Sequence, residues 1–291
     1  MKVAVTGGTG SWDRGVGPVV IAALEAAGHE VTNIDRAVPG GIESPGFIKA
    51  DLTDYGATFA AMHGHDAVVQ LAANGEPDWD HLSGAARFHT NTLIAYNVFQ
   101  AACFLGMKRV VWASSETVLG FPFDKVAPKV LPTSDDDPPI PTSSYGISKA
   151  VTEDLARHMH RRYGVDFVGL RFSNIFYDAK GHVTGYEKIP TFWDDPASRR
   201  FNLWGYVDAR DVAQACVRSL SADVSGAEVV TIAAPDTIMK QTNEELVAAA
   251  FPGCTLRPGT GPHDTLISID KAGQVIGYAP EWTWRRVLGM D

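Results

Sequence analysis

Three side chains in two short segments have the types and spacing needed for proton transfer. Tyr145 and Lys149 in "SSYGISK" are four residues apart, so they share one face of a helix. A lysine cation beside a phenol favours the phenolate and lowers the pKa of the phenol, which makes Tyr145 a candidate acid and base for a substrate hydroxyl. Ser115 in "WASSETVLG" ends an apolar strand, where its hydroxyl can hydrogen-bond the same substrate oxygen. The predicted catalytic residues are therefore Ser115, Tyr145 and Lys149.

A Tyr-x-x-x-Lys pair also occurs by chance on solvated helix faces, so the surrounding elements decide between the two interpretations. Long helices are expected at about 82–105 and 143–163. Apolar strand-like runs alternate with helical patterns at 2–6, 29–35, 47–52, 66–73, 109–115 and 165–172. This alternation predicts an α/β protein with a doubly wound parallel sheet covered on both faces. Ligands bind at the carboxyl ends of such strands, which favours the catalytic interpretation.

The regular alternation fails in two segments of the chain. Residues 173–205 are rich in aromatic residues, Gly and Pro, and residues 234–291 are broken by "FPG", "RPGTGP" and "YAPEW". We expect these two segments to form a small substrate-binding lobe over the carboxyl edge of the sheet. Residues 1–172 together with 206–233 would then form the dinucleotide-binding domain.

A glycine-rich loop follows the first strand and departs from the usual phosphate-binding spacing. In "VAVTGGTGSWDRGVGPVV", three glycines stand at the usual positions of the motif: Gly7, Gly8 and Gly10. Asp13 stands where a third glycine normally opens the helix, and counting back from the end of the helix places its start at Gly17. We interpret the loop as extended by about four residues and still able to bind a pyrophosphate. Taken alone, the pattern fits a plain glycine turn equally well.

The strands after this loop end in residues suited to a nucleotide. Asp35 ends the second strand, where a carboxylate can accept hydrogen bonds from ribose hydroxyls, and the upstream glycines favour this role over that of a simple turn residue. Asp35 would repel a 2′-phosphate and the adjacent Arg36 would soften that repulsion, so we predict a partial preference for NAD over NADP. The residues expected on the adenine side are Asp51, Leu52, Leu71, Ala72 and Ala73.

Composition narrows the class of protein and of partner. The chain has 291 residues, 45% of them hydrophobic, and a formal net charge of −9. An acidic chain with scattered Lys and Arg is a poor nucleic-acid binder, and no apolar run is long enough for a membrane span. Three distant cysteines without CxxC spacing and the lack of a visible signal peptide predict a cytoplasmic protein with free thiols. The histidine pairs lack supporting carboxylates or cysteines, so no metal is expected.

These motifs together resemble the extended short-chain dehydrogenase/reductases, also called NAD-dependent epimerase/dehydratases, over nearly the whole chain. The resemblance is carried by "VTGGTG", "ADL", "QLAA", "ASSETVLG", "SSYGISKAVTEDLA", "LRFSNIF" and "GYVDARDVAQAC". It implies a Rossmann-type fold, NAD or NADP as the cofactor, and a homodimer paired through the two long helices. It also implies that Tyr145 and Lys149 contact the cofactor, with Lys149 holding the nicotinamide ribose.

The chain departs from the family pattern at three points. The third glycine of the loop is displaced, Leu119 replaces the usual tyrosine, and "RFSNIFYDAKG" lacks the usual Gly-Pro pair. The side chains expected to contact substrate are Asn74, Glu116, Asn174 and Trp193. The aromatic residues near Trp193 fit a lobe core as well as a pocket lining. Asn91 has two equally supported roles, support of Lys149 through water and helix packing.

We expect an enzyme that transfers hydride between a nicotinamide cofactor and a small hydroxylated, sugar-like substrate. A nucleotide-sugar epimerase would need a larger lobe with basic groups for a diphosphate, for which Arg199, Arg200 and Arg210 are the nearby candidates. Arg14 in the inserted loop is a lesser candidate for the cofactor's pyrophosphate. The alternatives are an epimerase or dehydratase with tightly held NAD and a non-catalytic NAD(P)-sensing regulator.

Overall fold

The core of the protein is a seven-stranded sheet whose neighbouring strands all pair in parallel. The computed structural model describes residues 1–10, 15–38, 46–75, 81–179 and 182–290. Strands in these ranges are β1 (Lys2–Thr6), β2 (Glu30–Asp35), β3 (Phe47–Lys49), β4 (Ala67–Gln70), β5 (Arg109–Ser115), β6 (Val130–Leu131), β7 (Asp166–Phe172), β8 (Ile175–Ala179), β9 (His182–Thr184), β10 (Val207–Asp208), β11 (Ala227–Ile232) and β12 (Thr255–Leu256). The order β11-β7-β5-β4-β1-β2-β3 confirms the predicted doubly wound sheet.

Helices cover both faces of this sheet. The α-helices of the described chain are α1 (Gly17–Ala26), α2 (Tyr55–Met62), α3 (His81–Phe104), α4 (Ser144–Tyr163), α5 (Ile189–Phe192), α6 (Ala209–Ser221), α7 (Asn243–Ala250), α8 (Asp270–Ile276) and α9 (Trp284–Leu288). Buried residues of α1, α6 and α8 pack on one face of the sheet. Those of α2, α3 and α4 pack on the other face. The carboxyl ends of the central strands therefore lie between two helical layers.

The apolar character of the strands follows from burial on both faces. Val3 and Val5 of β1 pack with α1, whereas Ala4 between them packs with the opposite helical layer. All three side chains are fully buried. Because successive residues of a strand face opposite sides, a strand covered on both sides needs a continuous apolar run and not an alternating one.

The helix bounds agree closely with the sequence, and two strands are shorter than expected. Helix α4 starts one residue after Ser143, whose hydroxyl accepts a hydrogen bond from Gly146 N at 3.0 Å. The expected strands at 47–52 and 66–73 end at Lys49 and Gln70. Their remaining residues form loops at the carboxyl edge, where the chain leaves the sheet.

A third apolar cluster lies outside the two layers around the main sheet. It joins residues of 119–131 to residues of 176–206, 233–251 and 266–267 and to Trp284. Strands β6 and β12 pair in parallel within this part of the chain, and β8 pairs with β9 and β10. Helix α8 packs instead against the main sheet. The division of the chain into a nucleotide domain and a lobe remains a prediction.

Candidate active site

The structure brings Ser115, Tyr145 and Lys149 together at the carboxyl end of β5. Ser115 is the last residue of β5, and Tyr145 forms a hydrogen bond with its hydroxyl. Lys149 lies one helical turn beyond Tyr145 on α4, with its Nζ 5.4 Å from the centre of the tyrosine ring. Nζ donates a 2.6 Å hydrogen bond to the carbonyl oxygen of Ala113. A strand end and a helix face thus place a hydroxyl, a phenol and an ammonium at one point.

The electrostatics of Tyr145 differ from the expectation based on its lysine neighbour. Burial raises the pKa of Tyr145 to about 12, the Ser115 hydrogen bond opposes the rise, and the charge of Glu116 adds to it. The pKa of Tyr145 is therefore raised in this structure, where the sequence predicted a lowered one.

The ammonium of Lys149 is itself strongly influenced by burial. Burial lowers the pKa of Lys149 to about 8, and the nearby carboxylate of Glu153 opposes that shift. Below about pH 8 the side chain keeps its proton, and above that pH it becomes a neutral amine. The Lys149 cation is therefore present at neutral pH and is lost within the mildly alkaline range.

A buried ionic network behind β5 holds the Glu153 carboxylate in place. Arg171 donates to both of its oxygens, at 2.9 Å and 2.8 Å, and Ser114 Oγ donates to Oε1 at 2.7 Å. Arg171 also pairs with Asp135 at 3.3 Å, and Thr231 Oγ1 donates to Asp135 at 2.6 Å. Sequence reasoning missed this network because its members come from five segments of the chain. Charged residues inside apolar strand and helix patterns were the signal that could have found it.

The glycine loop fits a pyrophosphate through its backbone. Gly7 and Gly10 have positive φ angles of 72° and 69°, which favour glycine. A Cβ on Gly17 would lie 2.5 Å from the carbonyl oxygen of Gly8, so the turn and the helix can approach only without side chains. Helix α1 starts at Gly17, and its cap residue Val16 makes no side-chain hydrogen bond to the first turn. A helix N-terminus without a side-chain cap directs amide donors and a positive dipole toward an anion.

The strand ends next to this loop carry the other predicted cofactor residues. Asp35 Oδ2 accepts a hydrogen bond from Thr9 N and Oδ1 accepts one from Ala37 N, both at 3.1 Å. Asp35 therefore orders the loop and remains partly exposed at the end of β2, next to the exposed Arg36. Ala72 follows β4 and packs closely on Gly7. A Cβ atom added to Gly7 would lie 2.7 Å from the Cα atom of Ala72.

The remaining predicted residues on the adenine side differ in exposure. Asp51 is exposed, and hydrogen bonds from the side chain and backbone of Thr53 lower its pKa. Leu52 is buried, Leu71 is half-buried and Ala73 is exposed. Asp13 and Arg14 lie outside the described residues.

Asn91 binds the loop after β4 directly, which neither of the two expected roles included. Its Oδ1 accepts from Asn74 N at 2.8 Å and its Nδ2 donates to Asn74 O at 3.1 Å. The Asn91 side chain thus bonds both backbone polar groups of Asn74 beyond the end of the strand. This contact fixes where the predicted substrate residue Asn74 leaves the sheet.

Glu116 and Asn174 meet the same arginine. Glu116 follows Ser115 and is 8% exposed, and burial raises its pKa to about 8 against the opposing effects of the Ser173 hydroxyl and the Arg199 charge. Asn174 Oδ1 accepts a 2.8 Å hydrogen bond from Arg199 Nη2. The sequence marked Arg199 only as a diphosphate candidate, and the structure places it beside Glu116.

Trp193 and the other two arginines have partners away from these groups. The indole N–H of Trp193 donates to Ile238 O at 3.0 Å, and its ring lies 5.4 Å from that of Trp284. Arg210 pairs with Asp208 at 2.8 Å and stacks 3.3 Å from the centre of the Trp282 ring. Arg200 is exposed. The contacts of Trp193 match the lobe-core alternative, and its substrate role remains a prediction.

The described ranges contain neither a candidate metal site nor a candidate membrane-spanning helix. No group of three or more His, Cys, Asp or Glu residues there is arranged to hold a metal ion. No helix in the same ranges is long and apolar enough to cross a membrane.

Comparison with known proteins identifies the family. The model of the NAD dependent epimerase/dehydratase family matches residues 3–233. The chain is 35% identical over 179 residues to L-arabinose 1-dehydrogenase (NAD(P)(+)) of Haloferax volcanii, an alignment that spans 58% of this chain and 65% of that protein. It is 27% identical to UDP-glucose 4-epimerase of Corynebacterium glutamicum over 321 aligned positions, covering 100% of this chain and 94% of that protein.

A solved structure supports the same fold. A short-chain dehydrogenase/reductase superfamily protein from Agrobacterium tumefaciens with bound NAD superimposes with a TM-score of 0.72 at 22% identity, over 99% of this chain and 95% of that chain. The protein described here belongs to the NAD-dependent epimerase/dehydratase family. The family, the enzyme class and the NAD cofactor expected from the sequence are confirmed at this level.

Proposed function

We propose that the protein is an NAD-dependent dehydrogenase acting on a small hydroxylated, sugar-like substrate. The observation that carries the proposal is the convergence of Ser115, Tyr145 and Lys149 at the end of β5. When bound, NAD supplies the acceptor for a hydride. The substrate carbon would give up a hydride and the substrate hydroxyl would give its proton to Tyr145, so that the products would be a carbonyl compound and NADH.

Each of the three residues has a distinct role in this reaction. The Tyr145 phenolic oxygen exchanges the proton with the substrate hydroxyl, and the Ser115 hydroxyl stabilises the charge that develops on the substrate oxygen. The Lys149 ammonium binds the nicotinamide ribose and supplies the positive charge near the phenol. Its pKa of about 8 keeps it charged at neutral pH.

The cofactor site is proposed along the carboxyl ends of β1, β2 and β4. The residues that we assign to it are Gly7, Gly8, Gly10, Gly17, Asp35, Arg36, Asp51, Leu52, Leu71, Ala72 and Ala73. The N-terminus of α1 would hold the pyrophosphate and Asp35 the adenosine ribose. The NAD(P)(+) specificity in the name of the Haloferax relative fits a partial and not an absolute preference for NAD.

The partners of two arginines favour dehydrogenation over epimerisation of a nucleotide-sugar. Arg210 pairs with Asp208 and Arg199 donates to Asn174, so both of these diphosphate candidates already have polar partners within the protein. An epimerase must retain its oxidised intermediate, for which a tightly held nucleotide handle is required. The epimerase alternative keeps support from the Corynebacterium relative, which matches the whole chain. A purely NAD(P)-sensing regulator would not need Tyr145 and Lys149.

A substrate panel tests this proposal. The purified protein is incubated with NAD and with sugars, uronates, simple alcohols and nucleotide-sugars, and NADH is followed by its absorbance. We expect stoichiometric NADH from a free small substrate. Conversion of a UDP-sugar to its epimer without net NADH would overturn dehydrogenation in favour of the alternative.

We further propose a homodimer that pairs through α3 and α4. Tyr96 and Phe104 on α3 are 46% and 62% exposed, and Ile147 and Val151 on α4 are both 43% exposed. Large apolar side chains clustered on a surface indicate a protein contact. Sedimentation should show a dimer, and Phe104→Asp should shift it toward the monomer.

A cytoplasmic location is proposed as well, supported by three free cysteines.

A further inference from the structure

We propose that Arg171 is a positioning residue for the reaction: it fixes Glu153, and through Glu153 it sets where the Lys149 ammonium lies at the end of β5. The inference rests on the proposed dehydrogenase function, in which Lys149 binds the nicotinamide ribose. Within the described chain, the hydrogen bonds of Arg171 reach Glu153 and Asp135 and not the reacting groups. Any effect of Arg171 on the reaction must therefore pass through the residues that it holds.

Neighbouring turns of α4 are bonded to neighbouring residues at the end of β5. Lys149 Nζ donates to Ala113 O at 2.6 Å. One turn later, Glu153 Oε1 accepts a 2.7 Å hydrogen bond from Ser114 Oγ, on the next residue of the strand. Because both bonds join the same helix to the same strand, a shift of Glu153 along β5 also shifts Lys149. The placement of the ammonium thus depends on the Glu153 contact.

Arg171 holds the Glu153 carboxylate by both of its oxygens. Nε donates to Oε1 at 2.9 Å and Nη2 donates to Oε2 at 2.8 Å, and both side chains are buried. A forked pair of this kind fixes the orientation of a carboxylate as well as its position. Removal of one partner would leave a buried charge uncompensated, so we expect the contact between Glu153 and Ser114 to depend on Arg171.

Arg171 is fixed in turn by the sheet and by the loop before α4. It lies in register with Ser114 on β5 and with Thr231 on β11, so the three residues form a row across three strands. Asp135 Oδ1, between β6 and α4, accepts from Arg171 Nη1 at 3.3 Å and from Thr231 Oγ1 at 2.6 Å. Its Oδ2 accepts from Thr231 N at 3.0 Å. The guanidinium therefore cannot turn away from Glu153 without losing its bonds to the Asp135 loop.

A purely structural role of Arg171 makes a different prediction from a positioning role. If Arg171 only stabilised the fold, its substitution would lower the thermal unfolding midpoint and leave the NAD affinity of the folded protein unchanged. A positioning role requires that NAD affinity falls, and that it falls only while Lys149 is present to be positioned. A double-mutant cycle between positions 171 and 149 distinguishes the two roles.

The cycle uses Arg171→Lys, Lys149→Met and the double variant. Lysine keeps a cation beside Glu153 but lacks the fork that binds both of its oxygens. NAD dissociation constants are measured by tryptophan fluorescence, which requires no substrate, and thermal unfolding shows whether each variant is folded. Asp135→Asn is a second variant, with which the same cycle is run if Arg171→Lys does not fold. Arg161→Met, at an exposed arginine of α4, is the control.

We expect Lys149→Met to weaken NAD binding at least roughly tenfold, and Arg171→Lys to weaken it by roughly threefold to tenfold. In the Lys149→Met background, Arg171→Lys should change NAD affinity by less than about twofold, because the group that it positions is gone. Asp135→Asn should cause a smaller loss of the same kind, and Arg161→Met should bind NAD as the wild type does.

Two results would overturn the inference while the proposed function stands. One is an NAD affinity of folded Arg171→Lys equal to that of the wild type, when Lys149→Met does weaken binding. The other is an equal loss of affinity from Arg171→Lys in both backgrounds, which would show a general structural effect. Unchanged NAD affinity of Lys149→Met would instead contradict the proposed role of Lys149, and this inference would fail with it.

Discussion

The proposed cofactor side and the proposed substrate side of the carboxyl edge are built from different parts of the polypeptide. At the end of β1 the site consists of backbone, because Gly7, Gly10 and Gly17 approach other main-chain atoms so closely that any Cβ would collide. At the end of β5 it consists of side chains whose charges are shaped by burial, with Glu116 and Lys149 the clearest examples.

This difference separates two kinds of constraint. A site built from backbone loses its ligand affinity when a substitution adds a side chain that the turn cannot accommodate. A buried side-chain site fails gradually, since each charge depends on solvent exclusion and on the neighbours that compensate it. Substitutions at the two ends should therefore affect different measured quantities, with cofactor affinity sensitive at one end and turnover, specificity and pH dependence sensitive at the other.

The largest effect is expected on the side-chain end, from Tyr145→Phe. Removal of the phenolic O–H eliminates the proton carrier, so turnover should fall by about a thousandfold. The NAD dissociation constant, measured by tryptophan fluorescence, should stay within about twofold of wild type if the phenol acts mainly in the chemical step. Lys149→Ala should weaken both properties, because the ammonium also binds the ribose. Near-normal turnover by Tyr145→Phe would show that the phenol is not the proton carrier and would contradict the expected difference between the two ends of the site.

Gly17→Ala tests the backbone end. The added methyl group would lie 2.5 Å from Gly8 O and must displace the turn, so NAD affinity should fall by at least roughly tenfold. Gly273→Ala is the matched helical control, since its nearest neighbour, Tyr278 O, would lie at an ordinary 3.7 Å. Equal NAD affinity of the two variants in a fluorescence titration would contradict the steric argument.

Asp35→Asn tests the effect of a side-chain charge within the part of the site that consists mainly of backbone. The amide removes the repulsion of a 2′-phosphate, so the ratio of the NADP to the NAD dissociation constant should fall several-fold, by roughly threefold to tenfold. Arg36→Ala should move that ratio the opposite way, because it removes a cation that softens the repulsion. Tighter binding of NADP than of NAD by the wild-type protein would show that Asp35 does not read the ribose.

The smallest effect is expected from Glu153→Gln, one helical turn beyond Lys149 on α4. Glu153 raises the pKa of Lys149 against the effect of burial, so loss of its charge should lower that pKa further. The protonated lysine is then lost at a lower pH, and the alkaline limb of the kcat/KM profile moves to lower pH.

The exposed neighbour Asp154→Asn is the control on the same helix and should leave the profile unchanged. Thermal unfolding of both variants separates this effect from loss of the network with Arg171. An unmoved alkaline limb in a folded Glu153→Gln variant would show that Glu153 has only a structural role.

The sequence by itself determined the elements that carry the site. Strands buried on both faces require continuous apolar runs, and the spacing of Tyr145 and Lys149 places both on one helix face in any fold. The start of α1 at Gly17 also followed from local rules, because a helix of ordinary length and a proline in its first turn leave few other choices.

Only the tertiary structure decided what surrounds those elements. Arg171 bonds Glu153, and the charge of Arg199 acts on Glu116, across separations in the sequence that no local pattern records. The hydrogen bonds between the Asn91 side chain and the Asn74 backbone likewise join two segments that no local pattern connects. The pKa of Tyr145 is raised and not lowered, because the effect of burial outweighs that of the Ser115 hydrogen bond. Local periodicity fixes which face a residue occupies, whereas desolvation and charge pairing depend on every segment that packs against it.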